Sequence, residues 1–186
     1  AAGIDPPQKH MCNSGGSDWF RASFCNAVRI GRRLYMDNQA EPLTPGTPGA
    51  VQEACSWRAS VTNLRVVEAG DTVGYDAAWT APRRTRVATV CVGYGDGLYY
   101  PLAEAGGPLL VGEQRARLLA TCMDQCFVDV TDIPCRAGDE VTFFGQSSGG
   151  AAMPIQELGK FMHVEGVYFY SFLSPRVARV YEGLEP

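Results

Sequence analysis

The chain has 186 residues, of which 46% are hydrophobic and 19% charged, and its formal net charge is −4. That length suits one domain, or one domain with an appendage, with enough apolar residues for a real core. The mildly acidic balance argues against nucleic acid or an anionic membrane as a partner, and no apolar run is long enough to span a bilayer.

No basic segment followed by an apolar one marks a secretory leader, although the loss of an N-terminal segment would hide one. Residues 1–9 are polar, contain proline and read as a loop. Residues 10–16, H-M-C-N-S-G-G, read as a strand end running into a loop. A helix is predicted over 18–26, with Trp19, Phe20, Phe24 and Cys25 on one face, and a short strand and turn over 27–36. Strand, helix, strand in so few residues is a piece of a parallel α/β fold, too small to close a core alone. Residues 41–50, E-P-L-T-P-G-T-P-G-A, give the clearest boundary signal, so the division is placed between 46 and 47.

Beyond that boundary the pattern becomes short strands separated by Gly, Pro and Asp turns, which predicts an antiparallel β domain over 47–186. Strands are predicted at 55–67, 86–92, 109–111, 114–120, 126–130 and 140–144, with two closing strands at 164–170 and 175–181. One helix interrupts them at 154–162, where Pro154 suits the first turn and Gln156 and Glu157 sit near the positive end of the dipole.

Seven cysteines, at 12, 25, 55, 91, 122, 126 and 135, are odd in number and scattered. Cys122 and Cys126 would share a face if both lay in one strand. His10 and His163, the only histidines, are too far apart in sequence to form a local metal pair. The reading is reduced, mostly buried thiols in a cytoplasmic protein, with no metal site. Of the 16 basic residues, only Lys9 and Lys160 are lysines.

The most informative stretch is 86–97, R-V-A-T-V-C-V-G-Y-G-D-G. A buried strand ends in three glycines that bracket Tyr94 and Asp96, and glycine permits the sharp turn that would lift a phenol and a carboxylate out of the sheet. On these residues alone the favoured reading is the plain one, a hairpin with a solvent-facing tyrosine. Residues 120–132, A-T-C-M-D-Q-C-F-V-D-V-T-D, read as another strand, with polar groups where a core strand would have none.

G-Y-G-D-G at 93–97, C-M-D-Q at 122–125 and S-P-R-V-A-R-V-Y at 174–181 recur in register, and together they resemble the C-terminal part of alanine racemase. That family uses pyridoxal 5′-phosphate (PLP). The resemblance implies a mainly β fold: an antiparallel β domain at 47–186, preceded at 1–46 by the last segments of a TIM-type α/β barrel and a linker. It implies racemisation of alanine by two bases, supplying D-alanine for peptidoglycan, in a homodimer with shared active sites and an amino acid as substrate. Tyr94 matches the family's catalytic tyrosine. Met123 and Asp124 match residues that approach the substrate carboxylate. His10, Ser14, Arg29, Gly31 and Arg32 match cofactor contacts: Ser14 and the turn at Gly31–Arg32 on the phosphate, Arg29 on the pyridine nitrogen and His10 against the ring.

A phenol titrates near ~10, so Tyr94 can act as a base near neutrality only with positive charge beside it. Arg29 facing the ring nitrogen would donate a hydrogen bond without giving up its proton. Three departures stand out. Arg32 replaces a commonly apolar residue, and Val167, with Tyr168 beside it, stands where the family often has a phosphate-contacting tyrosine. The family's cofactor-binding lysine lies upstream of this sequence, so this stretch by itself is expected to be inactive. A serine/alanine or other amino-acid racemase remains an alternative. A decarboxylase of the same fold would carry a C-E-S-G-D-like run, which does not occur. A non-catalytic β module that binds a partner would need no lysine.

Overall fold

The computed structural model describes Gly3 and residues 6–20, 25–35 and 53–183. The predicted linker at 41–50, and with it the boundary at 46/47, lies outside them. The chain divides into two compact units, Ala1–Cys55 and Ser56–Pro186.

The second unit is built on antiparallel strands. These are β1 (Trp57–Val67), β4 (Thr85–Val90), β5 (Pro108–Val111), β6 (Gln114–Thr121), β7 (Cys126–Asp129) and β8 (Glu140–Gln146), with the short β2 (Thr72–Val73) and β3 (Trp79–Thr80) pairing separately. The order β1-β4-β7-β6-β5-β8 closes on itself, because β8 also pairs with β1. Six strands thus form a barrel with no free edge among them, which removes the row of unpaired backbone groups an open sheet would expose. β9 (Ala152–Met153) extends β8 as a short hairpin.

Closure requires bending, and the register slips in three places. These fall between Val61 and Asn63 on β1, between Trp57 and Arg58 where β1 meets β8, and between Leu118 and Ala120 on β6. The most deeply buried strand positions are mainly branched aliphatics: Val87, Val90, Leu118, Val128, Val141 and Phe144 are all within 1% of full burial. A second core lies where the β2–β3 hairpin covers the sheet. Val67, Val73, Ala81, Val87, Leu119 and Ala120 pack there, with Trp79 and Phe127 against them. This explains why β4 and the end of β6 are apolar on both faces instead of alternating.

Helices α2 (Tyr100–Glu104), α3 (Ile155–Met162) and α4 (Val167–Phe172) complete the unit. Ile155 and Leu158 are buried, and Arg115 of β6 grips Glu157 with both guanidinium nitrogens, tying α3 to the barrel.

Two sequence expectations fail here. Residues 164–170 do not form a closing strand: Val167–Phe172 is α4. Its aromatic, β-branched composition favours a strand, but its contacts recur at helical spacing, with Phe169 edge-on to Tyr99 at 5.8 Å and Phe172 stacked on Tyr99 at 4.9 Å. Residues 175–181 are not a strand either. Three backbone carbonyls, of Leu173, Ser174 and Val177, accept from the Arg179 guanidinium and hold that segment in turns.

The first unit, in its described part, has an extended segment from His10 that lies parallel to residues 26–29. His10 bridges Ala27, and the Arg29 N–H donates to Cys12 O at 2.8 Å. Between them is α1 (Ser14–Trp19), which starts four residues before the predicted helix and ends at Phe20. Asn13 sets that start, its side chain accepting from the Gly16 N–H at 2.9 Å. The predicted helical residues 21–24 lie outside the described part. A single 3-10 turn, Arg32–Leu34, follows Gly31. Among the described residues no helix is long and apolar enough to cross a membrane.

Candidate active site

β4 ends at Val90, and the glycine-bracketed stretch that follows is a 3-10 turn, Tyr94–Asp96, leading into α2. A plain β-hairpin does not form there. Residues 120–132 are not one strand either: β6 and β7 are its two arms, and Cys122–Gln125 is the tip joining them, closed by Cys122 N–H to Gln125 O at 2.7 Å. Cys122 and Cys126 therefore flank a turn and do not share a strand face.

The turn and the tip are welded through the backbone. The Tyr94 N–H donates to Cys122 O at 3.0 Å, and the Gly95 N–H to Met123 O at 2.8 Å. The approach is close enough that a Cβ on Gly93 would sit 2.3 Å from Cys122 O and 2.5 Å from Asp124 N, so only glycine fits. Gly97 has φ +108, and a Cβ there would lie 2.2 Å from Phe172 O. Asp96 locks the turn from within, accepting from the Gly93 N–H at 2.9 Å. It also ties down the C-terminal segment: Arg176 Nε is 3.4 Å from Asp96 Oδ1, and the Ser174 N–H donates to Asp96 O at 3.0 Å. The three sequence motifs therefore meet at one place in the fold.

Tyr94 and Met123 are 42% and 50% exposed, so both are open to a ligand although their backbones are fixed. Asp124 is exposed on the same tip. Below them Cys126 is fully buried. Burial first, then the nearby Cys91, Cys122 and Asp96, push its thiol far above the ordinary range, so it stays neutral and unreactive. All seven cysteines are thiols outside any disulfide, and Cys12, Cys126 and Cys135 are the buried ones. The expectation of mostly buried thiols is corrected, since Cys25, Cys55 and Cys91 lie on exposed turns and strand ends.

In the first unit the matched residues fall into two pairs. The Gly31 N–H donates to Ser14 Oγ at 3.1 Å, and Arg29 Nη1 lies 3.1 Å from His10 Nδ1. A guanidinium can only donate, so Nδ1 accepts and the ring proton sits on Nε2. A Cβ on Gly31 would meet nothing within 4 Å among the described residues, whereas the Ser14 side chain is buried. Arg32 opens the following 3-10 turn. With the Gly31 amide engaged by Ser14 Oγ, the Ser14 hydroxyl proton and the permanently protonated Arg29 guanidinium are donors of the kind that the phosphate and the pyridine nitrogen of PLP accept. An amine for its aldehyde is a separate requirement, and the sequence offers only Lys9 and Lys160.

Two contributors went unread in the sequence, Arg176 and Tyr100. Asp96 was read as a carboxylate lifted out of the sheet, but it turns back to accept from the Gly93 N–H three residues earlier and caps its own turn. Tyr100, whose ring meets that of Tyr94 at 6.0 Å and 62°, carried no signal, because its helix of five residues is too short to show a period.

Comparison with known proteins gives a consistent picture. The family profile described as "Alanine racemase, C-terminal domain" matches residues 54–181. An alanine racemase of Desulforamulus reducens is 33% identical over 183 residues, covering 97% of this chain and 48% of that protein. The crystal structure of biosynthetic alanine racemase from Pseudomonas aeruginosa matches with a TM-score of 0.79 at 33% identity, over 97% of this chain and 49% of that one. A histidine racemase from Leuconostoc mesenteroides matches with a TM-score of 0.76 at 29% identity, over 96% of this chain and 47% of that one. The chain spans about half the length of the relatives it matches.

Proposed function

This chain belongs to the alanine racemase family, and from that premise we propose that it works as the C-terminal half of a PLP-dependent racemase interconverting L- and D-alanine. The observation that carries the proposal is the backbone weld between Tyr94–Gly95 and Cys122–Met123, which presents an exposed phenol and the tip residues Met123 and Asp124 side by side.

Bound PLP supplies an electron sink that acidifies the α-proton of the attached amino acid. The rest is the work of the chain's own residues. Ser14 Oγ and the backbone at Gly31–Arg32 would hold the phosphate. Arg29, oriented by His10, would donate to the ring nitrogen and keep it unprotonated, which limits charge delocalisation and favours racemisation over side reactions. The Tyr94 oxygen would take or return the α-proton on one face of the substrate, leaving the other face to a lysine outside this sequence. The tip at Met123–Asp124 would face the substrate carboxylate, Met123 through its backbone amide. Two protomers would share their sites, each holding its own cofactor through Ser14 and Arg29 and lending Tyr94, Met123 and Asp124 to its partner. The setting would be cytoplasmic, and the product D-alanine for peptidoglycan.

The full-length protein, loaded with PLP and given L-alanine, L-serine and L-histidine in separate reactions, tests this. D-alanine should form fastest. Faster D-serine or D-histidine formation would move the assignment to another amino-acid racemase, a reading that the match to a histidine racemase keeps in view. Racemisation of none of the three would refute it.

A further inference from the structure

Tyr100 lies next to the proposed base and takes no part in the mechanism above. Its ring meets that of Tyr94 edge to face, with centroids 6.0 Å apart and planes at 62°. Aromatic pairs favour this geometry because the positive ring edge is drawn to the negative face. Neither ring is buried: Tyr94 is 42% and Tyr100 44% exposed. A tyrosine this exposed would ordinarily sample several side-chain orientations, even with its backbone fixed at Cys122 O.

The helix carrying Tyr100 is pinned from beneath, which fixes the point from which its ring meets that of Tyr94. Leu102 and Ala103 of α2 are buried at 3% and 2%. The preceding Tyr99 is stacked on Phe172 at 4.9 Å and 11°, and edge-on to Phe169 at 5.8 Å. Two adjacent tyrosines thus divide the work, Tyr99 anchoring to α4 and Tyr100 turning outward against Tyr94.

We propose that Tyr100 is a positioning residue for Tyr94: its ring holds the Tyr94 phenol in the orientation from which the oxygen reaches the substrate. This rests on Tyr94 being the base of the proposed racemase. Tyr100 touches neither substrate nor cofactor in this role. Its own hydroxyl is not needed, so phenylalanine should replace it and an aliphatic side chain should not. A pair of this kind biases an orientation by a factor of roughly two to twelve.

The first measurement uses the chain itself. In an NMR spectrum with labelled tyrosine rings, the Tyr94 resonances are identified by their loss in Tyr94→Phe. The neighbouring ring current should displace them in the wild type and in Tyr100→Phe, and release them toward ordinary values in Tyr100→Leu. The second uses the full-length holoenzyme and follows exchange of the α-proton with deuterated solvent. Tyr100→Leu should slow exchange from L-alanine by roughly three- to tenfold, leave exchange from D-alanine at the wild-type rate, and be rescued by Tyr100→Phe. If Tyr100→Leu folds poorly, Tyr100→Gln serves the same comparison. Unchanged Tyr94 resonances in Tyr100→Leu, or equal slowing from both enantiomers, would overturn the inference while leaving the base assignment intact. If Tyr94→Phe itself exchanged both enantiomers at wild-type rates, the base assignment would fall, and the positioning role with it.

Discussion

Position 93 must be glycine because two backbone segments meet there with no room for a methyl group between them. Gly93→Ala forces a Cβ against Cys122 O and Asp124 N, and neither can yield as a flexible side chain would. The substitution should destabilise the protein by about 2 kcal/mol, measured by denaturant unfolding, and should spread Tyr94 from Met123. A loss within experimental error would mean that the tip slides away from the turn at no cost. The glycine bracket was legible in the sequence, because closely spaced glycines around a tyrosine and an aspartate have few uses other than a tight turn. Ser14 with Gly31, and His10 with Arg29, were legible only through the family register, and the structure brings each pair within hydrogen-bonding distance. Tyr100 was not legible, since an exposed aromatic ring gains its role from a neighbour six positions away across a turn.

Among the elements, the barrel strands were readable because burial imposes apolar runs of four to eight residues and Gly, Pro or Asp punctuates their ends. The segment at 167–172 misled because V-Y-F-Y-S-F has strand-like composition, while Tyr99 and Phe144 select a helical arrangement of its rings. The end of α3 offers a test at this scale. His163 closes the helix in the left-handed region, at φ 55 and ψ 37, and is exposed. Glycine adopts that conformation without the Cβ penalty, so His163→Gly should stabilise the protein by about 1 kcal/mol and raise the thermal midpoint. A lower midpoint would show that the His163 ring makes a contact worth more than the strain.

A second element-scale test concerns the start of β8. The Glu140 carboxylate accepts from the Ser148 N–H at 2.8 Å and hydroxyl at 2.5 Å, with Arg58 Nη1 3.8 Å away. Burial alone would raise its pKa, but the two Ser148 hydrogen bonds and Arg58 outweigh burial and hold it below the usual carboxylate range. A folded-state value below the unfolded one contributes stability that is present above the unfolded value and is lost as pH falls through the folded one. Glu140→Gln should therefore lower the thermal midpoint at pH 7, and the difference from wild type should shrink below roughly pH 4.3. A constant difference across that range would assign the effect to packing instead of charge.

At the scale of the whole molecule, the closed barrel is a platform: it fixes two backbone loops against each other so that exposed side chains can act from a rigid base. The second unit carries the proposed base and the tip proposed to face the substrate, and the first carries the proposed cofactor contacts. A chemistry with one base on each face of the substrate makes the clearest demand on that division. Tyr94→Phe removes the ionisable oxygen and keeps the ring, so the turn and its contact with Tyr100 should survive. In the full-length holoenzyme, turnover in both directions should fall by roughly 10²- to 10⁴-fold, because a complete racemisation uses both bases. The decisive measurement is exchange of the α-proton with deuterated solvent, followed separately from each enantiomer of alanine. Exchange should be lost from L-alanine and largely kept from D-alanine. Wild-type exchange from both would contradict the assignment and leave Tyr94 a surface phenol on a structural turn.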